Sequence, residues 1–346
     1  MAEYVQGWLK ERRIPASFDD SATITGSDCG NLVATLEGTI DRTLLLVAHL
    51  DTVETGEQPI VSQVKNGRIV SDGTTILGSD NKSAVTAVLS ALEEIASWPE
   101  RPTVLAAFTT HEERGTTGAS ALKLPAAIDA CFNIDGSEPV GTIISRALGE
   151  TPFTINVIGQ ESHAAQTPEA GRHAIKAAAR LVDALPLGRG QAGQTMNVGV
   201  IHGGRATNVI PGETELRGEA RAFTEPGLQE QIAIVTDTAA RIADETGCKI
   251  TVETFPELGM PPFSQDNDSA IVKLSKTAAG QAGVTPVVTS ASFSTEANVL
   301  AERGFPIVNL ASGGQSPHAV TESIDELELA ELKALILAIV RNYQKN

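Results

Sequence analysis

Three short apolar runs, each followed by polar or charged residues, most constrain how this chain can fold. They span residues 44–48, 104–109 and 131–134, and their length and composition predict buried β-strands. Residues 81–96, between the first two runs, have helical periodicity and an Ala-, Leu- and Glu-rich composition, which predicts a connecting helix. Strands that alternate with helices in this way are typical of an α/β fold. In such a sheet, ligand-binding groups collect at the carboxyl ends of the strands.

The pattern changes at about residue 146. From there the sequence predicts a compact α+β module, with elements in the order strand 151–159, helix 168–185, strands 195–204 and 213–223, helix 228–246 and strand 249–255. After Pro261-Pro262 the alternation resumes, with helix 268–282, strands 286–290 and 306–311, and a closing helix 326–343. We therefore predict a discontinuous domain, residues 1–145 and 258–346, into which a second domain, residues 146–257, is inserted.

Composition excludes several classes of protein. The chain has 346 residues, 41% of them hydrophobic and 20% charged, which is typical of a globular protein with room for two domains. Its formal net charge of −17 argues against nucleic acid and anionic membranes as partners, because phosphate is bound by Lys and Arg. No apolar run approaches the ~20 residues of a membrane span, and the first residues lack the apolar core of a signal peptide. Three widely spaced cysteines indicate no disulfide framework, so we expect a cytoplasmic protein.

The first apolar run ends in the sequence LLLVAHLD, where His49 and Asp51 are two positions apart. Residues at this spacing share one face of an extended strand. A neutral imidazole that binds a metal usually donates its other N–H to an oxygen, so His49 could be a ligand with Asp51 as the group that orients it. The alternative is a hydrogen-bonded structural histidine, and this motif alone does not decide between them.

Further ionisable side chains lie in or beside predicted turns: Asp80, Glu112, Glu113, Asp135 and His318. Taken singly, each has an ordinary explanation: a helix N-cap for the first, a solvated acidic pair for the next two, an Asp-Gly turn for the fourth and a polar loop for the last. Taken together, two histidines and several carboxylates at the strand ends of one sheet are the ligands of a two-metal hydrolase.

Eight motifs extend this reading over nearly the whole chain: AHLDT, GSDNK, HEERG, NIDG, ESHAA, NVIPGE, RGEAR and SPHAVTE. In this order they resemble the dizinc metallopeptidase family that includes peptidase T, glutamate carboxypeptidase, aminoacylase, acetylornithine deacetylase and succinyl-diaminopimelate desuccinylase. NIDG and the Thr-Pro-Glu-Ala-Gly run after ESHAA are most similar to the peptidase T-like branch. The resemblance implies a phosphorylase/hydrolase-like α/β catalytic domain, with a mixed sheet flanked by helices, and an inserted α+β, ferredoxin-like lid and dimerisation domain.

The resemblance also implies two Zn²⁺ ions, with Co²⁺ or Mn²⁺ as alternatives. By motif, His49 and Asp135 would bind one ion, Glu113 and His318 the other, and Asp80 would bridge them. Asp51 would orient His49, and Glu112 would be the general base that takes a proton from the attacking water. The peptide bond between Asp80 and Asn81 would be cis.

Three residues of the inserted domain would complete the site. His163 in ESHAA matches the family histidine that stabilises the oxyanion of the tetrahedral intermediate. Asn208 and Arg221 resemble residues that hold the carboxylate or carbonyl of the substrate, and a guanidinium group suits a bidentate grip on a carboxylate. Arg221 could equally be an exposed strand residue.

Three functions remain open at this point. The first is an exopeptidase, an aminopeptidase or tripeptidase similar to peptidase T, acting on short peptides. The second is an N-acyl amino acid deacylase or carboxypeptidase, which would fix a free α-carboxylate near the scissile bond. The third is a catalytically inactive zinc-binding scaffold. In all three we expect a homodimer formed through the inserted domain.

Overall fold

A computed structural model describes residues 1–53, 58–124 and 127–343. The chain forms two compact units. The first contains Met1–Arg146, Gln265–Ala291 and Thr295–Asn346, and the second contains Ala147–Ser264 and Ser292–Ser294. The chain thus leaves the first unit after Arg146 and returns to it at Gln265. Within the described residues, no helix has both the length and the apolar character needed to cross a membrane.

The amino-terminal part contains four helices and eight strands among its described residues: α1 Ala2–Glu11, β1 Ala16–Phe18, α2 Ala22–Thr25, β2 Leu32–Leu36, β3 Thr43–His49, β4 Ser62–Lys65, β5 Arg68–Ser71, α3 Ser79–Ile95, β6 Thr103–Thr109, α4 Thr117–Ala121, β7 Ala130–Ile134 and β8 Thr142–Ala147. The three apolar runs are confirmed as strands β3, β6 and β7, and the predicted connecting helix is α3.

The elements of the second unit follow: β9 Gly149–Ile158, β10 Ser162–His163, α5 Ala174–Ala184, β11 Gly188–Arg189, β12 Thr195–Gly203, β13 Val209–Ile210, β14 Glu213–Ala222, α6 Glu225–Thr246, β15 Lys249–Thr254 and β16 Phe263–Ser264. The chain then returns to the first unit with α7 Ala270–Gln281, β17 Val287–Ala291, α8 Glu296–Ala301, β18 Ile307–Leu310, β19 Ser323–Asp325 and α9 Glu326–Tyr343.

The first unit is built on a mixed sheet with the strand order β1-β2-β6-β3-β7-β18-β8, and β17 also pairs with β8. β6, β3, β7 and β18 run parallel, whereas β2 and β8 are antiparallel to their neighbours. In β3 every residue after Thr43 is buried, as expected for a parallel strand with both faces covered. Helices α3, α7 and α9 pack together and supply buried aliphatic side chains to the same core, including Leu92, Val272 and Leu335.

The second unit has an antiparallel sheet with the order β11-β12-β14-β9-β15. Helices α5 and α6 cover one face, where Phe153, Ile155 and Val157 of β9 alternate with partly exposed residues. This alternation is what a sheet with one buried face requires.

The predicted helix 168–185 was wrong over its first six residues. Residues Pro168–Ala170 form a single 3₁₀ turn, and α5 begins only at Ala174. The main chain of Arg172 instead exchanges two hydrogen bonds with Gln160, at 2.9 and 3.0 Å. A residue whose N–H and C=O are both bonded to a separate extended segment cannot take part in a helix. His173 then caps α5, since its Nδ1 atom accepts the N–H of Lys176.

Candidate active site

The carboxyl ends of three parallel strands bring predicted ionisable residues to one edge of the first unit's sheet. β3 ends at His49, Glu112 and Glu113 follow β6, and Asp135 directly follows β7. β3 pairs in parallel with both β6 and β7, so all three strands end on the same side. Because the strands themselves are filled with buried, mostly aliphatic side chains, the ionisable groups are confined to this edge.

Asp80 lies between two histidines. Its Oδ1 atom is 3.2 Å from His49 Nε2, and its Oδ2 atom is 3.3 Å from His318 Nε2. His318 Nε2 is also 3.2 Å from Glu113 Oε1, a buried oxygen that accepts no hydrogen bond from the described residues. Four of the predicted ligands are therefore in continuous contact. The carboxylate of Asp80 does not serve as a helix cap, because both of its oxygens face histidine nitrogens.

Two groups of three side chains each offer ligand atoms within 4.8 Å of one another, and these groups are His49, Asp80 and Asp135, and Asp80, Glu113 and His318. A tetrahedral zinc ion with ligands at roughly 2.0–2.1 Å separates neighbouring ligand atoms by about 3.3 Å. The separations that include Asp80, at 3.2 and 3.3 Å, have this size. The donor set therefore fits two cations that share Asp80. A third group of ligand atoms combines His49 with Glu112 and Glu113.

The hydrogen bonds of His49 leave one ring nitrogen for a cation. His49 is buried, and its Nδ1 atom lies 3.1 Å from the main-chain oxygen of Asp51, to which it donates. In a neutral ring Nε2 then has no hydrogen and carries a lone pair. It faces Asp80 Oδ1, which is also an acceptor, so a proton or a cation must lie between the two atoms. Burial lowers the pKa of His49, but Asp51 and Asp80 outweigh it and raise this pKa well above its ordinary value.

Asp51 connects His49 to the loop after β6. Its carboxylate accepts the main-chain N–H groups of Glu112 and Glu113, both at 3.1 Å, while Oδ1 lies 3.7 Å from His49 Nδ1. Asp51 thus contacts His49 mainly through its main-chain oxygen and uses its carboxylate to fix the acidic pair. Burial raises the pKa of Asp51, but the contact with His49 and the two N–H donors together bring it below its ordinary value.

The main chain of Asp135 is fixed by hydrogen bonds to the neighbouring strand β18 and its Asn309 side chain. Its N–H donates to Leu310 O at 2.8 Å, and its carbonyl accepts Asn309 Nδ2 at 2.7 Å. Asn309 Oδ1 in turn accepts Asn133 Nδ2 at 2.7 Å. Asp135 is only 8% exposed, and burial, followed by the charge of Asp80, raises its pKa well above the usual range. Its carboxylate therefore favours a bound proton or a cation.

Glu112 and Glu296 are acids with strongly raised pKa values. Burial raises the pKa of Glu112 to about 8, with His49 opposing and Glu296 adding to the effect. Burial likewise raises the pKa of Glu296 to about 7. Glu296 is the first residue of α8 and was not predicted from the sequence, because an acid in the first turn of a helix is an ordinary surface feature. Here it is 1% exposed.

The turn that carries Asp80 is fixed by a second residue that the sequence analysis did not single out. Glu322 is buried, and it accepts hydrogen bonds from Gly78, Ser79 and Asp80. The peptide bond between Asp80 and Asn81 is cis, as predicted. The signal for Glu322 was present, since it is the last residue of SPHAVTE, four positions after His318.

His163 and Asn208 are neighbours in the second unit. β10 pairs with β13, and Ala164 N–H donates to Asn208 O at 2.9 Å. The Nδ1 atom of His163 accepts the N–H groups of Ala165 and Gln166, both at 3.2 Å. In the neutral ring the hydrogen is therefore on Nε2, which leaves an exposed side chain with one donor available.

Arg221 lies in β14, in the five-stranded sheet of the second unit. Its guanidinium donates to both carboxylate oxygens of Glu219, at 2.9 and 3.1 Å, and lies 2.7 Å from Glu150 Oε2. These bonds raise the pKa of Arg221, first through Glu219. The side chain is 25% exposed, so it is neither buried nor a free surface residue.

A mixed α/β sheet with histidines and carboxylates gathered at its strand ends is typical of metal-dependent hydrolases. The sequence profile of Peptidase family M20/M25/M40 matches residues 45–342. The chain belongs to this family, which makes it a metallopeptidase and confirms the resemblance found in its motifs.

Three relatives are similar over nearly the full length. YqjE of Bacillus subtilis strain 168 is 32% identical over 333 residues, which cover 94% of this chain and 88% of that protein. The crystal structure of aminopeptidase PepT from Bacillus cereus ATCC 10987 has a TM-score of 0.92 and 31% identity, covering 98% of this chain and 91% of that one. A tripeptidase from Staphylococcus aureus subsp. aureus Mu50 has a TM-score of 0.89 and 29% identity, covering 99% and 92%. The similarity to the peptidase T-like branch is thereby confirmed.

Proposed function

We propose that this protein is a dinuclear exopeptidase that removes the amino-terminal residue from short peptides, with tripeptides as its preferred substrates. The observation that carries the proposal is the position of Asp80, whose two carboxylate oxygens face His49 and His318 at 3.2 and 3.3 Å. A carboxylate whose two oxygens each face a histidine nitrogen can bridge two neighbouring metal ions, each of which would also bind one of the histidines. The names of the B. cereus aminopeptidase and the S. aureus tripeptidase support the choice of substrate.

The described side chains assign each ion a set of ligands. His49, Asp80 and Asp135 would hold one ion, and Asp80, Glu113 and His318 the other. Zinc is proposed as the physiological ion, because imidazole nitrogen and carboxylate oxygen are its usual ligands. The same donors also bind cobalt and manganese. When bound, the two ions would lower the pKa of a water molecule and polarise the carbonyl of the scissile amide.

Glu112 is proposed as the group that moves the proton. It is next to the ligand Glu113, but its raised pKa of about 8 marks a carboxylate that readily takes up a proton in this buried, acidic setting. Its carboxylate would remove a proton from the attacking water and deliver it to the leaving nitrogen, so that the amine departs neutral. Asp51 would keep Glu112 in place through the hydrogen bond to its main-chain N–H.

Residues of the second unit are proposed to bind the substrate. His163 presents Nε2–H, a donor suited to the oxyanion that forms when the carbonyl is attacked. Asn208, beside it, is proposed to bind a carbonyl or carboxylate of the peptide. The Nε and Nη2 atoms of Arg221 contact Glu219 and Glu150, so a substrate carboxylate would bind to Nη1 or replace one of these partners.

The test is a panel of unprotected dipeptides and tripeptides, the same tripeptides with an acetylated amino terminus, and N-acyl amino acids. Products are identified by mass spectrometry with metal-loaded wild type, Glu112→Gln and the control Glu302→Gln, which removes an exposed acid. We expect release of the first residue from unprotected tripeptides, no cleavage of acetylated ones, and a loss of about 10²- to 10⁴-fold in kcat for Glu112→Gln only.

Other outcomes would select the alternatives. Cleavage of N-acyl amino acids but not of peptides would favour the deacylase. Release of the last residue, from acetylated as well as unprotected tripeptides, would favour the carboxypeptidase. Two bound metals without turnover of any amide would favour the inactive scaffold. Equal kcat for wild type and Glu112→Gln would remove the general base.

A further inference from the structure

The turn that carries Asp80 is tied to a carboxylate from the far end of the chain. Glu322 Oε2 accepts the N–H of Gly78 at 2.6 Å, and Glu322 Oε1 accepts both the hydroxyl of Ser79 and the N–H of Asp80 at 2.8 Å. The donors are three consecutive residues, so a single carboxylate fixes the whole turn. Glu322 is 1% exposed, which leaves these bonds without competition from water.

The charge of Glu322 is matched to this turn. Hydrogen bonds to an ionised acceptor are shorter and roughly twice as strong as those between neutral groups. The ammonium group of Lys82 also lies against the turn, since a Cβ atom placed on Gly78 would be 2.9 Å from Lys82 Nζ. Burial lowers the pKa of Lys82, and among the nearby acids Glu322 opposes this most strongly. Three donors thus hold one buried carboxylate, and the Lys82 ammonium lies beside the same turn.

Glu322 also belongs to the small loop that carries His318. Gln315 and Ser323 exchange two main-chain hydrogen bonds, at 2.8 and 3.0 Å, which close the loop between them. Inside it, Glu322 N–H donates to Ala319 O at 2.9 Å. A displacement of Glu322 would therefore move His318 as well.

We propose that Glu322 is a positioning residue that joins the Asp80 turn to the His318 loop and thereby sets the separation at which both side chains bind the same metal ion. The inference rests on the proposed dinuclear function. His318 Nε2 and Asp80 Oδ2 are 3.3 Å apart, although the two residues lie in separate sequence segments of the first unit. The bonds of Glu322 form a direct link between the two segments.

The exchange Glu322→Gln removes this function with little change in size. The amide of glutamine has one oxygen and one NH₂ group. In either orientation its NH₂ group would face at least one of the three N–H or O–H donors of the turn, and that hydrogen bond would be lost. Ser79→Ala is the milder variant, because it deletes one of the three bonds and leaves both main-chain bonds intact. The matched control is Glu328→Gln. Glu328 is an acid of the first turn of α9 whose Oε2 atom is buried and accepts no hydrogen bond from the described residues.

The experiment is a titration of each metal-free protein with Zn²⁺ by calorimetry and with Co²⁺ by visible absorption, which reports the geometry of the ligands. For Glu322→Gln we expect the affinity of at least one ion to fall by about 10- to 100-fold and the Co²⁺ spectrum to change. Ser79→Ala should weaken binding less, and Glu328→Gln should match wild type in both measurements.

Unchanged affinities and an unchanged Co²⁺ spectrum in Glu322→Gln, with wild type binding two ions, would overturn the proposal and leave the proposed function intact. Failure of wild type to bind two ions would overturn both. If Glu322→Gln does not fold, Ser79→Ala decides: a weakened affinity supports the link, and wild-type binding refutes it. A purely structural role would lower the unfolding temperature of the metal-free protein without altering the Co²⁺ spectrum, and that result would also refute it.

Discussion

The metal-free protein is expected to lose stability as the pH rises from 6 to 8, because the acids at the strand ends hold protons more tightly in the folded state than in the unfolded one. Burial raises the pKa of Glu112 from 4.5 to about 8 and that of Glu296 from 4.5 to about 7. Burial also raises the pKa of Asp135. The pKa of His49 is raised as well, by Asp51 and Asp80 against the opposing effect of burial.

All four shifts act in the same direction. A group whose folded-state pKa lies above its unfolded-state value binds more protons in the folded state, so the stability it contributes is present at low pH and is lost as the pH rises through the folded-state pKa. Between pH 6 and 8, the raised pKa of Glu112 corresponds to a loss of about 2 kcal/mol, and that of Glu296 to a loss of about 1 kcal/mol.

The assay is urea unfolding of chelator-treated protein at pH 6, 7 and 8, followed by tryptophan fluorescence. Both tryptophans, Trp8 and Trp98, belong to the first unit and so report on the unit that contains the acids. Glu112→Gln should reduce the difference in unfolding free energy between pH 6 and 8 by about 2 kcal/mol. Glu302→Gln, which removes an exposed acid, should leave that difference unchanged.

Saturating zinc should reverse the trend, because metal ligands bind in their deprotonated forms and the affinity therefore rises with pH. The reasoning would be refuted if Glu112→Gln and wild type lost the same stability between pH 6 and 8. It would also be refuted if the metal-free wild type became more stable over this range.

Four further substitutions test the site and its support. His49→Ala should reduce the bound metal measured by mass spectrometry from two ions to one, whereas Asp51→Asn should keep both and weaken binding by about 10- to 100-fold; the opposite order would contradict their roles. Phe132→Ala, at a fully buried position of β7, should lower the unfolding free energy by about 3–5 kcal/mol, and a loss below 1 kcal/mol would show that the core can close around the cavity. Gly118→Ala should destabilise the segment after the acidic pair, because its Cβ atom would lie 1.8 Å from Thr110 O, and an unchanged melting temperature would disprove this close approach.

Much of the fold could be predicted from local sequence pattern. The apolar runs that became β3, β6 and β7 are buried on both faces, so their composition is nearly independent of their neighbours. The closing helix 326–343 was predicted with the bounds of α9. The error in the predicted helix 168–185 arose because long-range contacts, not local pattern, decide the structure of its first residues. Its first six residues include Gly171, which disfavours a helix, and the main chain of Arg172 is bonded to Gln160, a longer-range contact that no local pattern reveals.

The site divides in the same way. Residue type and position in a turn made His49, Asp80, Glu113, Asp135 and His318 candidate ligands, and the resemblance to the family implied the role of each. Residue type and local position did not reveal the roles of Glu322 and Glu296, although Glu322 lies within the SPHAVTE motif. A glutamate in a loop or at the start of a helix is usually exposed, and only packing makes it a buried group.

The sequence by itself determined which chemistry is available: the apolar strands, the ionisable residues that end them, and the membership of a metallopeptidase family. The tertiary structure alone decided how those groups are used. It placed the two oxygens of Asp80 toward two histidines, turned the carboxylate of Asp51 to the main chain of the acidic pair, and closed the Asp80 turn on Glu322. The physical reason is that the identity of a ligand is a property of one residue, whereas distance, burial and hydrogen-bond partners arise from segments that meet only when the chain is folded.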